Sequence, residues 1–143
     1  MRLDRLTQGE RIVLIGGVLL IADLLLLPWH AIELGGGLEG LVDTTLTGVQ
    51  APYAAYGIAA VVLTTVMIVQ IVLARLLSVR LPGSPAAWSQ IHLLLGIFVA
   101  VMLVIKLVRL TDSLGYGAYS GVLAGILVAY GGWSISREAE GAA

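Results

Sequence analysis

Four apolar runs constrain this chain more than any other feature: residues 12–29, 53–77, 88–110 and 114–135. Each approaches the ~20 residues that a helix needs to cross the hydrocarbon core of a bilayer. Only 12% of the 143 residues are charged, against ~25% in an average soluble domain. So few charges cannot cover a water-exposed surface. The expected fold is a single all-α domain over residues 1–143, an integral membrane four-helix bundle with one long connection at residues 30–52.

The first run resembles a secretory leader, because Arg2, Arg5 and Arg11 precede it. It nevertheless carries Asp23 and ends in Pro28-Trp29-His30 rather than at a small-residue cleavage site. We read it as an uncleaved anchor. Lys and Arg near span ends set orientation. Arg2, Arg5, Arg11, Arg75, Arg80 and Arg137 would lie at one membrane face, and Lys106 and Arg109 at the other. The long connection has no basic residue and carries Glu33, Glu39 and Asp43. Both termini are therefore expected in the cytoplasm, in a multi-pass protein of the plasma membrane. The tryptophans and tyrosines gather near span ends, where interfacial anchors belong. The polar tail from Ser136 is expected to fray.

Asp23 is the one carboxylate inside an apolar run. Steps of four and three place Gly16, Leu20, Asp23, Leu27 and His30 on one helical stripe. His92, Gly96, Val99, Leu103, Lys106 and Leu110 form a second, and Ala59, Leu63, Val66 and Gln70 a third. At ~1.5 Å rise per residue, Asp23 and Lys106 each lie roughly 9 Å below the outer end of their helices. Lys106, or else Arg109, is thus the expected partner of Asp23, since an unpaired buried carboxylate tends to protonate. Three alternatives stay open at this point. Asp23 can be neutral and hydrogen-bonded, it can serve a proton or substrate site, or the two cations can snorkel past it to the headgroups.

Gly117, Gly121, Gly125 and Ala129 follow one another at intervals of four, and Ala51, Ala55 and Ala59 do the same. Small residues let membrane helices approach closely. The two grooves would meet within the monomer, or the glycine face would form a dimer. Asp112 and Ser113 suit a cap for the fourth helix, and Thr64 and Thr65 suit bonds back to their own helix.

Other chemistry is thin. His30 and His92 belong near opposite ends, separated by most of the ~30 Å core, so a bis-histidine haem does not fit. Each is expected to be an interfacial or hydrogen-bonded histidine. The chain has no cysteine, no metal-ligand spacing, no phosphate loop and no catalytic constellation. No metal or cofactor is expected. A formal charge of -1 and the lack of a basic patch argue against a nucleic-acid partner.

The segments "RLTQGERIVLIGGVLLIADLLLLPWH", "VIKLVRLTDSLGYGAY" and "AYGGWSISREAE" give the chain a family resemblance. It resembles a group of uncharacterised, small, four-span actinobacterial membrane proteins, which also end the first span with Leu-Pro-Trp. The resemblance implies the inner membrane of a Gram-positive-type cell and carries no activity. The expected function is a non-enzymatic scaffold or accessory subunit of an envelope complex. Its partners would be the bilayer and either a membrane protein or further copies of itself. The alternative is a small oligomeric transporter or channel-like protein using Asp23, Lys106 and Gln70.

Overall fold

The computed structural model describes residues 3–31, 45–50, 52–109, 111 and 114–142. Most of them are helical: α1 spans Gln8–Leu26, α2 Ala54–Ile71, α3 Pro85–Arg109 and α4 Tyr116–Gly141. After α1 comes a short strand, β1 (Pro28–Ala31), antiparallel to β2 (Thr45–Thr47). α2 runs on into a π-helical turn at Val72–Leu76. With that turn α2 is long and apolar enough to cross a membrane, and so are α3 and α4. α1 has 19 residues and carries Glu10, Arg11 and Asp23.

Local chemistry sets the boundaries. α1 begins at Gln8, four residues before the apolar run, because Thr7 and Glu10 form a reciprocal capping box. It stops short of Pro28, whose ring cannot follow a helical residue without a clash. α4 begins at Tyr116 with Gly115 at the cap and no side-chain capping bond. The cap expected of Asp112 and Ser113 lies outside the described residues, as do Ala51, Leu110 and residues 32–44. The tail expected to fray is helical to Gly141. Its Glu138 carboxylate accepts a bond from the Gly9 N–H at 3.1 Å, which docks the end of α4 on the start of α1.

Each helix runs antiparallel to its sequence neighbour, and α4 closes the arrangement against α1. Glu10 of α1 meets Arg75 after α2, Gln70 of α2 meets His92 of α3, and Gly132 of α4 lies against the His92 carbonyl. On α1, Gly16, Leu20 and Asp23 are buried, and on α3 so are His92, Gly96, Val99, Leu103 and Lys106. α2 departs from expectation. Its buried face is Gly57, Ala60, Thr64, Met67 and Ile71, while Val66 is exposed. In a uniformly apolar helix the sequence carries no contrast to tell these adjacent faces apart.

The glycine face of α4 packs within the monomer, though not on the alanines of α2. A Cβ at Gly117 would meet Leu27 and Pro28, and one at Gly121 would overlap Trp29 and Asp23. One at Gly125 would run into Leu103 of α3, and the Ala129 backbone lies against Gly96. α4 therefore touches α1 and α3 at backbone distance. Ala55 of α2 is exposed. Outside, large apolar side chains on all four helices are exposed, among them Val18, Val62, Phe98 and Leu123.

Candidate functional site

At the β-ladder end, Pro28 turns the chain out of α1 so that Trp29 folds back over the last helical turn. Its indole Nε1–H donates to Asp23 Oδ2 at 2.8 Å. From α4, Ser120 Oγ donates to Asp23 Oδ1. Both carboxylate oxygens thus have a donor, and the glycine at position 121 leaves the space that Trp29 and Asp23 occupy. Trp29 was expected at the interface and is instead fully buried. Its role in holding Asp23 could have been suspected only from its position six residues on.

The expected ion pair of Asp23 with Lys106 does not form; no salt bridge joins them among the described residues. Lys106 is fully buried, and its Nζ donates to the carbonyls of Pro52 at 2.8 Å, Tyr53 at 3.3 Å and Gln50 at 3.4 Å. Those carbonyls belong to the segment leading into α2. Tyr53 adopts φ 57°, the left-handed region, at the cap of that helix, a conformation that costs a non-glycine residue stability. The ammonium holds the turned carbonyl. Trp29 neighbours both groups: its Nε1–H bonds Asp23, and its ring centroid is 5.9 Å from Lys106 Nζ. Arg109 is exposed, with its guanidinium 5.7 Å from the Tyr53 ring, and it too is drawn away from Asp23.

His30, in β1, is buried with no hydrogen-bond partner on either ring nitrogen. Burial, and then the nearby Lys106 charge, hold its pKa below the ordinary 6.5. It forms a bridge with Leu114, and the Gly115 N–H donates to the Trp29 carbonyl at 2.8 Å. β1 therefore ties α1 to β2 and to the start of α4.

Gln70 and His92 meet at the opposite end, with Gln70 Oε1 2.6 Å from His92 Nε2. Beside them Arg75 Nε donates to Glu10 Oε1 at 2.7 Å. Glu10 also accepts from the Thr7 N–H at 2.9 Å. Arg5 reaches Ser78 at 3.0 Å. The sequence marks Arg75 as a basic residue at one membrane face and does not single out Glu10. The capping pattern Thr7-x-x-Glu10 was the available signal that Glu10 is fixed in place. Thr65 bonds back to the Val61 carbonyl at 2.7 Å as expected, whereas the Thr64 hydroxyl is buried with no partner.

Two sets of polar residues thus occupy the two ends of the helices. Asp23, Trp29, Ser120 and Lys106 hold one end, and Glu10, Gln70, Arg75 and His92 gather at the other. Among the described residues no cluster of three or more His, Asp or Glu side chains is arranged to hold a metal ion. The class defined by these helices is a helical protein with segments able to cross a membrane. No protein-family model matches this chain, and neither a curated protein nor a solved structure is significantly similar to it.

Proposed function

We propose that the chain is a non-enzymatic membrane protein, a scaffold or accessory subunit of an envelope complex. α1 joins the other three helices as a fourth span of a plasma membrane, the location that the family resemblance implies, and both termini face the cytoplasm, as the placing of Lys and Arg suggests. One observation carries the reading: the charges at membrane depth are already engaged inside the chain. Asp23 is held by Trp29 and Ser120, and Lys106 by three backbone carbonyls. Groups that bind and release a proton or substrate need coordination that can open, and these hold the end of the bundle together. Orientation is supported by the way Arg5, Arg75 and Arg137 lie at the end that holds both termini, with Lys106 and Arg109 at the other.

The runner-up reading, an oligomeric transporter, has one observation in its favour. Asp23 and Ser120 line an open apolar groove between α1 and α4 with Leu19, Leu26 and Leu123. A neighbouring copy over that groove would enclose the carboxylate. Purification from native membranes in mild detergent, followed by native mass spectrometry, separates the two. A stoichiometric protein partner supports the accessory subunit. A homo-oligomer whose ion flux in vesicles disappears in Asp23→Asn overturns it.

A further inference from the structure

Near its C-terminal end, the outer face of α4 carries an ordered stripe. Tyr130, Trp133, Arg137 and Glu140 follow at steps of three, four and three, and all four are exposed. The Tyr130 and Trp133 rings lie 5.6 Å apart between centroids. The Arg137 guanidinium lies 5.6 Å from the Trp133 ring, because helical side chains lean toward the N-terminus of their helix. Glu140 in turn lies 3.6 Å from Arg137. Glu138, on the same turn, accepts from Gly9 of α1 and holds this part of α4 in place.

α4 is long and apolar enough to cross a membrane, and the chemistry along the stripe changes in the order of a lipid leaflet. Aromatic rings come first, then a cation, then an anion. Tyrosine and tryptophan suit the boundary of the hydrocarbon. Trp133 to Arg137 spans roughly 6 Å of helix axis, about the depth of the headgroup layer of one leaflet.

The charges choose among headgroups. Arg137 is the only basic residue of α4, and its pair with Glu140 is wet, the two side chains being 65% and 66% exposed. Such a pair holds weakly and opens readily to a better partner. An anionic headgroup would find its attraction to Arg137 offset by Glu140. A zwitterionic headgroup complements both charges, with its phosphate on the guanidinium and its ammonium on the carboxylate. A primary ammonium donates charge-assisted hydrogen bonds to Glu140, whereas choline has no N–H to donate. The Trp133 ring, which could receive choline by cation–π contact, already carries Arg137.

We propose that this stripe binds one zwitterionic phospholipid whose headgroup ends in a primary amine, as in phosphatidylethanolamine. Arg137 takes the phosphate, Glu140 takes the ammonium, and Trp133 and Tyr130 pack against the glycerol and the first acyl carbons. The inference rests on α4 crossing a bilayer, as the proposed function has it.

The test uses the full chain labelled with 5-fluorotryptophan, in phosphatidylcholine nanodiscs, with the Trp29, Trp88 and Trp133 signals followed by ¹⁹F NMR. Phosphatidylethanolamine or phosphatidylglycerol is added in rising mole fraction. Phosphatidylethanolamine should shift Trp133 saturably and leave Trp29 unmoved, with half-response at a mole fraction about threefold lower than for phosphatidylglycerol. Arg137→Gln should weaken the response to both lipids, and Glu140→Gln should abolish the preference between them. Arg80→Gln, exposed at the same end but off the stripe, should change neither. An equal or stronger response to phosphatidylglycerol, or a preference that survives Glu140→Gln, overturns the inference. A doxyl-labelled fatty acid tests the reading beneath it, since it broadens Trp133 only where α4 enters the bilayer. A Trp133 signal that stays sharp overturns the crossing of α4 and the inference with it; a broadened signal with no lipid preference overturns the inference alone.

Discussion

The Trp29 indole N–H reaches back to Asp23 at 2.8 Å, and this bond explains how a carboxylate stays deep in α1 without an ion pair. The ring that supplies the donor also lies 5.9 Å from Lys106 Nζ. Trp29→Phe keeps most of the packing and removes the donor, so it should destabilise the fold by about 1–3 kcal/mol. Combined with Asp23→Asn, it should show a coupling energy larger than that between Asp23→Asn and Lys106→Met. Denaturation of the four single and double variants in mixed micelles measures both. A stronger coupling to Lys106 would restore the ion pair as the dominant partner.

Lys106→Met should act on the start of α2 rather than on α1. It removes the common donor of the Gln50, Pro52 and Tyr53 carbonyls. The left-handed Tyr53 would lose the contact that holds its carbonyl inward. Hydrogen exchange at residues 54–58 should accelerate by about tenfold or more, corresponding to the 1.5–3 kcal/mol of a charged hydrogen bond. Exchange near Asp23 should change less. Arg109→Gln, which loses only an exposed cation–π contact, should have a smaller effect, about 0.5–1 kcal/mol.

The contrast between Asp23 and Lys106 shows what the sequence could reveal. Residue spacing was enough to bury both side chains and to place them on inward faces, because periodicity reports direction. It could not choose their partners. Lys106 is satisfied by backbone carbonyls, which every residue has and no sequence pattern advertises. Asp23 is satisfied by a tryptophan that Pro28 turns inward, although its position at a span end suggested an interfacial anchor. The helices themselves were legible from the length of the apolar runs. Their ends were not: the apolar run puts the first helix at residues 12–29, whereas the Thr7-Glu10 cap and Pro28 bound it at Gln8 and Leu26. The buried face of α2 was not, since Val66 and Met67 are equally apolar and only packing distinguishes them.

Gly121 should be the least substitutable of the α4 glycines on the Asp23 side. An added Cβ would overlap both the Trp29 ring and the Asp23 carboxylate, so Gly121→Ala must push α4 away or break the Trp29–Asp23 bond. A cost of about 1–3 kcal/mol follows, despite alanine's better helix propensity. Gly141→Ala, with nothing within 4 Å of the added carbon, should be neutral or slightly stabilising. Thermal unfolding of the two variants makes the comparison. If both behave alike, α4 does not rely on close approach at this point.

His30 gives the β-ladder end a pH dependence whose sign is fixed. Its pKa lies below 6.5 in the folded chain, because of burial first and the Lys106 charge second. The unfolded chain therefore takes up the proton more readily than the folded one. The stability contributed by neutral His30 is complete above the unfolded pKa of about 6.5 and declines as pH falls below it. His30→Phe fills the same buried position with a ring that does not titrate. The advantage of the unsubstituted chain over His30→Phe should shrink as melting temperatures are compared from pH 8 down to pH 5. An advantage that grows on acidification would mean that protonated His30 finds a partner in the folded chain, reversing the sign.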